Sequence, residues 1–256
     1  MQLDLTRPNN GRVIDYWLGG SHNFEIDRRL GDEATKKFPL LSQLVRESRA
    51  LVRRGVEYFY ARGIRALLDF GAALPTCENT HLVAHKLDSN IKVVYSDIDP
   101  ITVAYGQELL QGKANVIYLQ CDAAEPRTVL DAPETKALLG DERRVGIVFL
   151  SLAHLFSDAQ LRNSWKTLYD WAASDSYMIA SATNELWDSE PDLIAVRDAY
   201  RRAGTAGYNR SLAQLMEAIS PWQVTEEGVA DDANWGLPQA IPPQRRIGFS
   251  MMLRKP

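Results

Sequence analysis

From Leu41 onward the apolar residues Leu44, Val45, Leu51, Val52, Val56 and Phe59 fall on one side of a helical wheel, which predicts a long helix ended by Gly63. The pattern then changes as far as residue 181. Short apolar runs at 66–70, 92–96, 116–120, 145–150 and 177–181 alternate with helical spacing that begins near 79, 100, 127 and 158. Strands separated in this way run parallel through right-handed crossovers, so an α/β, doubly wound sheet with helices on both faces is expected. Helical stretches follow at 191–204 and 211–218. Two more strands are predicted at 222–226 and 247–253, where Ile247, Phe249, Met251 and Leu253 share one face. The proline-rich loop 236–243 lies between them, and an antiparallel pair completing a mixed sheet is the expectation. Residues 1–38 are polar and glycine-bearing, with one short amphipathic helix at 11–20 stopped by Gly19-Gly20. With no strand of its own, this segment is predicted to be a helical cap over a main domain at 39–256.

The stretch around which the chain is organised is Leu-Leu-Asp-Phe-Gly-Ala-Ala-Leu-Pro-Thr-Cys-Glu-Asn at 67–79, read as strand, turn and helix start. At the carboxyl edge of a wound sheet, such a junction offers backbone N–H groups and a helix N-terminus to a charged, nucleotide-like ligand. Taken alone, it is equally an ordinary turn. The second strand ends in Asp97, 26 residues after Gly71, near the interval at which nucleotide-binding folds place an acid for both ribose hydroxyls. Asp99-Pro100 reads instead as a helix cap followed by proline at the first helical position. After the third strand, Asp122 can accept from an exocyclic amine while the N–H of Ala123 faces a ring nitrogen. After the fourth, Ser151-Leu-Ala-His154-Leu-Phe sets one polar ring at the rim where a substrate would approach. His154 is there either a structural residue or one that orients or deprotonates a substrate.

Other chemistry is not favoured. His81 and His85 are four apart on a helix but lack a third ligand, so no metal is expected. There is no phosphate-binding loop, and Ser151 lacks the Gly-x-Ser-x-Gly elbow of hydrolases. The tryptophans at 165, 171, 187, 222 and 235 read mostly as core or rim anchors. With 256 residues, 45% of them hydrophobic, the chain can bury a sizeable core. Its net charge of -4 is mild and no basic run is longer than a pair, so neither nucleic acid nor anionic membrane is an expected partner. Two cysteines, Cys77 and Cys121, suit a reducing compartment. No apolar run resembles a signal peptide or a membrane span, and a cytoplasmic protein is expected.

Four separated segments, Gly-Arg-Val-Ile-Asp-Tyr-Trp-Leu-Gly-Gly-Ser-His-Asn-Phe at 11–24, Leu-Asp-Phe-Gly-Ala-Ala-Leu-Pro-Thr at 68–76, Val-Val-Tyr-Ser-Asp-Ile-Asp-Pro at 93–100 and Leu-Ala-His-Leu-Phe at 152–156, appear in an order that resembles class I S-adenosylmethionine-dependent methyltransferases. Within that class the chain is similar to a family with a glycine-ended N-terminal cap, long catalogued as a domain of unknown function. The resemblance covers most of 7–185 and fades beyond. It implies a Rossmann-like fold in which Gly71 to Thr76, including Ala73 and Leu74, hold the methionine portion of the cofactor S-adenosylmethionine. Asp97 would take the ribose, Ile98 the adenine face, and Asp122 with Ala123 the adenine edge. Ser151 falls on the cofactor side too, and Tyr16 and Gly20 of the cap would close over it. The family generally carries a second glycine where this chain has Ala73, for which a negative φ is expected, its methyl facing the methionine end.

The function implied is methyl transfer to a small-molecule acceptor, with His154 orienting or deprotonating it. The rivals are a protein that binds the cofactor without turnover, and one that uses the cofactor's positive charge to promote a cyclisation. The sequence sets no oligomeric state.

Overall fold

The computed structural model describes residues 6–202, 207–239 and 246–256. The first residues of the expected cap, the end of the expected 191–204 helix and residues 240–243 of the proline-rich loop lie outside them. Five parallel strands occupy the predicted runs: β1 (Ala66–Phe70), β2 (Lys92–Asp97), β3 (Val116–Gln120), β4 (Gly146–Phe149) and β5 (Tyr177–Thr183). The antiparallel strands β6 (Gln223–Ala230) and β7 (Gly248–Arg254) complete a seven-stranded sheet of order β3-β2-β1-β4-β5-β7-β6. The last strand in sequence is therefore not an edge strand: β7 sits between β5 and β6. The reversal of strand order at β1/β4 creates the crevice in which such sheets bind ligands.

Alternation along β1 explains how both faces are covered. Ala66, Leu68 and Phe70 face one apolar cluster, shared with Phe149, Trp165, Leu168 and Trp222, while Leu67 faces the other, with Leu51, Val56, Phe59, Val93 and Ile179. The first cluster packs on α6 (Arg127–Leu130), α7 (Pro133–Leu139) and α8 (Asp158–Trp171). The second packs on α3 (Leu41–Ala61), α4 (Thr80–Leu87) and α5 (Pro100–Leu109). Strands buried on both faces read as unbroken apolar runs, which is why they were visible in the sequence. Trp165, Trp222 and Trp235 are core residues as expected. The helix expected from 127 is two short ones, because Pro133 starts a second helix as its first residue.

The N-terminal segment holds two helices rather than one. α1 (Asn10–Trp17) is the predicted element; α2 (Glu25–Lys37) was unforeseen. Its apolar residues are sparse, and it is organised instead by Glu25 and Asp27 in the first turn and Lys36 and Lys37 in the last, the arrangement that complements the helix dipole. Asp27 is wholly buried against Arg12 at 2.8 Å and also accepts from the backbone N–H groups of Asn9 and Phe24. Deleting either member of this pair would leave an uncompensated buried charge, a loss of about 3–5 kcal/mol. A third apolar cluster, Phe38, Leu41, Leu193, Val196 and Ile247, ties the α2–α3 corner to α10 (Pro191–Arg202). α9 (Leu186–Ser189) precedes that helix, and α11 (Leu212–Ile219) leads into β6. Among the described residues no helix is long and apolar enough to cross a membrane.

Candidate functional site

The segment after β1 makes a sharp reversal. Gly71 adopts φ +64°, and a side chain there would meet Leu152 at 2.6 Å. Ala73 also lies in the left-handed region, at φ +55°. The negative φ expected for it is therefore wrong, and the reason is tertiary. Its N–H donates to Asp97 Oδ2 at 3.1 Å and its carbonyl accepts from the Tyr118 hydroxyl at 2.6 Å, so the two neighbouring strands dictate the orientation of its peptide groups. Cys77 and Glu78 are left-handed as well. Asn79 braces the turn from inside, donating to the carbonyls of Ala72 and Leu74.

A second expectation also changes. The N-terminus of α4 is closed to a ligand, because each of its first four N–H groups has an internal partner. Thr80 N–H donates to the Asn79 side chain, His81 N–H to the Tyr95 hydroxyl, and those of Leu82 and Val83 to the Asn79 carbonyl. The groups left for a ligand at this edge are side chains and the loop itself.

Asp97 stands at the end of β2 with one carboxylate oxygen on Ala73 N–H and the other on Asp99 N–H, both at 3.1 Å. A carboxylate has about four acceptor positions, so with these donors it still keeps an acceptor position in reserve. Burial pushes its pKa up, and the backbone N–H groups of Asp99, Ala73 and Ile98 pull it back. Beside it Ile98 is 62% exposed, an apolar side chain held out between two acids. Asp122 is exposed, with Oδ1 accepting from Ala124 N–H at 2.9 Å, and Ala123 is buried next to it. Asp99 caps α5 through the N–H groups of Ile101 and Thr102, with Pro100 at the first helical position, as the sequence predicted. It also accepts from the Asn9 amide, which docks the start of α1 on α5.

Of the cap residues singled out, Gly20 lies beside Asp15 in the recess that Thr76 also lines, whereas Tyr16 is engaged elsewhere. The Tyr16 hydroxyl donates to Asp32 on α2 at 2.8 Å. The contact between cap and loop is made by Asp15, which the sequence reading passed over. Its buried carboxylate accepts from Thr76 Oγ1 at 2.6 Å, from His22 N–H at 2.8 Å and from the Asn23 amide at 2.9 Å. Any side chain on Gly20 would collide with that carboxylate. A recess of about 370 Å³ opens along this seam, lined by Asp15, Gly20, His22, Thr76, Cys77 and His81.

Two further charged residues, Arg49 and Asp69, belong to the region. Arg49 lies on the apolar stripe of α3, between Val45 and Val52, where a lone arginine is itself a signal. Burial draws its pKa below the usual arginine value, and the carboxyl of Asp69 is the first of the charges that oppose this. Asp69, on β1, accepts from Thr80 Oγ1 at 2.6 Å, and burial pushes its pKa up to about 7.

Across the switch point, the chain after β4 turns at Ser151, left-handed at φ +55°, whose N–H donates to Ser181 Oγ at 2.9 Å. The short 3-10 turn Ala153–Leu155 follows and carries His154. Arg210 organises this turn, donating to the carbonyls of Ala153 and Phe156 and pairing with Asp158 at 2.8 Å. Burial, and after it the charge of Arg210, lowers the His154 pKa to about 4, so the ring is neutral at pH 7. His81 and His85 face each other edge-on, with His81 held by Tyr95, and no group of three metal-binding side chains occurs among the described residues.

A family model described as S-adenosyl methyltransferase matches residues 1–250. Among solved structures, a candidate methyltransferase from Thermobifida fusca YX is 28% identical, with a TM-score of 0.87 over 98% of this chain and 96% of that one. A DUF574 family protein from Streptomyces avermitilis MA-4680 is 26% identical, with a TM-score of 0.86 over the whole of both chains. Magnesium protoporphyrin IX methyltransferase from Synechocystis PCC 6803, solved with bound SAH, shares the fold at 13% identity, with a TM-score of 0.52 over 83% of this chain and 85% of that one. No curated protein matches the chain.

Proposed function

We propose that this chain, which belongs to the S-adenosyl methyltransferase family, transfers a methyl group from S-adenosylmethionine to a small-molecule acceptor. The observation that carries the reading is the exposed Ile98 beside Asp97 at the sheet edge to which β3, in register at Asp97 and Gln120, also delivers Asp122. An apolar surface flanked by two carboxylates suits a nucleoside, which offers a flat face, two hydroxyls and an amino group. In this reading Asp97 takes the ribose, Ile98 the adenine face, Asp122 and Ala123 the adenine edge, and Gly71 to Thr76 the methionine end. Ser151 borders that end from the β4 side. Residues 1–38 act as a lid, with Asp15 and Gly20 joining it to the loop at Thr76; Tyr16 supports α2 rather than the ligand.

When bound, S-adenosylmethionine supplies an electrophilic methyl on a sulfonium centre. The protein's own task is to hold the acceptor against that methyl in line and to exclude water, with little acid-base chemistry. His154 orients the acceptor. A binding-only role has one observation on its side, the left-handed Ala73 in the cofactor loop.

The test has two steps. Native mass spectrometry of the purified protein should detect retained S-adenosylmethionine or its demethylated product. Incubation with S-adenosylmethionine and candidate acceptors should then give S-adenosylhomocysteine together with a methylated product. A changed acceptor with intact cofactor would favour cyclisation, and binding without turnover would favour the sensing role.

A further inference from the structure

On the β4–β5 side of the carboxyl edge, two buried polar atoms have no hydrogen-bond partner among the described residues: Nδ1 of His154 and Nδ2 of Asn209. They belong to adjoining segments. The N–H of Tyr208 donates to the His154 carbonyl at 2.7 Å, which lays residues 208–210 alongside the turn that carries His154. Arg210 reinforces the contact through the Ala153 carbonyl. The amide of Asn209 is held by its other end, since its Oδ1 accepts from Thr183 Oγ1, at the end of β5, at 2.7 Å. Its N–H groups are thus fixed and unused. Tyr208, 41% exposed, forms the rim beside them. A buried polar group left unpaired costs about 1–3 kcal/mol, and two at one sheet edge are a cost that a ligand would remove.

We propose that Asn209 and His154 form the acceptor subsite and that the group they receive is a hydroxyl, so that the reaction is an O-methylation. The inference rests on the methyl-transfer reading above. A hydroxyl is uncharged at pH 7 and both gives and takes a hydrogen bond: its O–H donates to His154 Nδ1, and its oxygen accepts from Asn209 Nδ2. In the neutral ring, Nδ1 is an acceptor in the tautomer that carries its proton on Nε2. An alkylammonium has no lone pair for Asn209 and is repelled by Arg210; a carboxylate has no hydrogen for Nδ1. In the transfer, the acceptor O–H bond breaks as the O–CH3 bond forms. The electron pair of the cleaved C–S bond leaves with sulfur as a neutral thioether, and the proton passes through His154 to solvent. His154 touches the acceptor; Asn209 sets its specificity.

The experiment uses the full chain labelled with 15N-histidine and two probes, phenol and anisole, the second of which carries a methyl group in place of the hydroxyl hydrogen and so cannot donate. The His154 ring signal is identified by its loss in His154→Phe, and each titration is run with and without S-adenosylhomocysteine. Phenol should shift the His154 Nδ1 resonance and bind about ten-fold more tightly than anisole, the value of one hydrogen bond. Asn209→Leu and the near-isosteric Asn209→Asp should both weaken phenol by a similar factor, while the affinity for S-adenosylhomocysteine, measured by calorimetry, stays unchanged. Equal binding of the two probes, binding of neither, or phenol binding that leaves the ring signal unmoved overturns the proposal. Failure to bind S-adenosylhomocysteine counts against methyl transfer instead, and the phenol titration without it still decides the subsite.

Discussion

Replacing Ala73 with glycine separates backbone strain from the ordinary cost of a glycine. Ala72 and Ala73 are adjacent and equally buried, at 6% and 7% exposure, but only Ala73 has a positive φ. At Ala72, a change to glycine loosens the unfolded chain at a cost of about 0.4–1 kcal/mol and removes a buried methyl worth about 0.8 kcal/mol. The same losses apply at Ala73. There, however, glycine also relieves the clash that an L-residue suffers in the left-handed region, about 1–2 kcal/mol. Ala73→Gly should therefore be close to neutral, while Ala72→Gly destabilises by about 1–2 kcal/mol. For a chain of this size the gap between the two variants corresponds to roughly 2–8 °C in Tm. Urea denaturation and thermal melts of both variants measure it. Equal destabilisation would refute the strain argument. Calorimetric titration of Ala73→Gly with S-adenosylmethionine adds the functional half: the Asp97 and Tyr118 bonds already hold the loop in shape, so affinity should change little. Binding that appears only in the glycine variant would favour the non-catalytic reading.

Asp97→Ala should abolish measurable cofactor binding, since each lost hydrogen bond to a charged acceptor costs about 1.5–3 kcal/mol, whereas Asp99→Ala should mainly destabilise α5 by about 1 kcal/mol; calorimetry on both separates the roles. Protease cleavage near Gly19 and Gly20 should slow when S-adenosylmethionine is added, and equal rates with and without it would count against a lid. Asp69 titrates near pH 7 in the folded protein and near 3.9 when unfolded, so its contribution is complete below about pH 4 and is lost as the pH rises through 7. Relative to Asp69→Asn, the natural protein should lose up to about 4 kcal/mol between pH 4 and 8, read from urea curves at several pH values; parallel curves would show that the acid is not held protonated.

The parallel strands were legible because both of their faces are buried, which writes each as a short apolar run. The acids at their ends were legible because strand ends share one edge whatever the rest of the chain does. What escaped was set by partners distant in sequence. The φ of Ala73 depends on Asp97 and Tyr118, and the closure of the α4 N-terminus depends on the Tyr95 hydroxyl. Asp15 resembles any polar residue of a short helix until Thr76 and Cys77 are brought against it. Asn209 follows a stretch with no periodicity of its own, and the bonds that place it run to His154, Ala153 and Thr183, all distant in sequence. The helix α2 was missed for another reason: charge at its two ends, rather than an apolar stripe, organises it.

The position of β7 bears on how the chain is made. Its two flanks pair with β5 along Tyr177–Thr183 and with β6 on the other side, so a strand that follows both of its neighbours in the chain is the one that joins β6 to the rest of the sheet. Until it arrives, β5 has an open edge and β6 has nothing to pair with, and an unpaired strand edge invites pairing with other chains. A stop codon just before residue 248, which removes β7 whole, would therefore yield an aggregation-prone product.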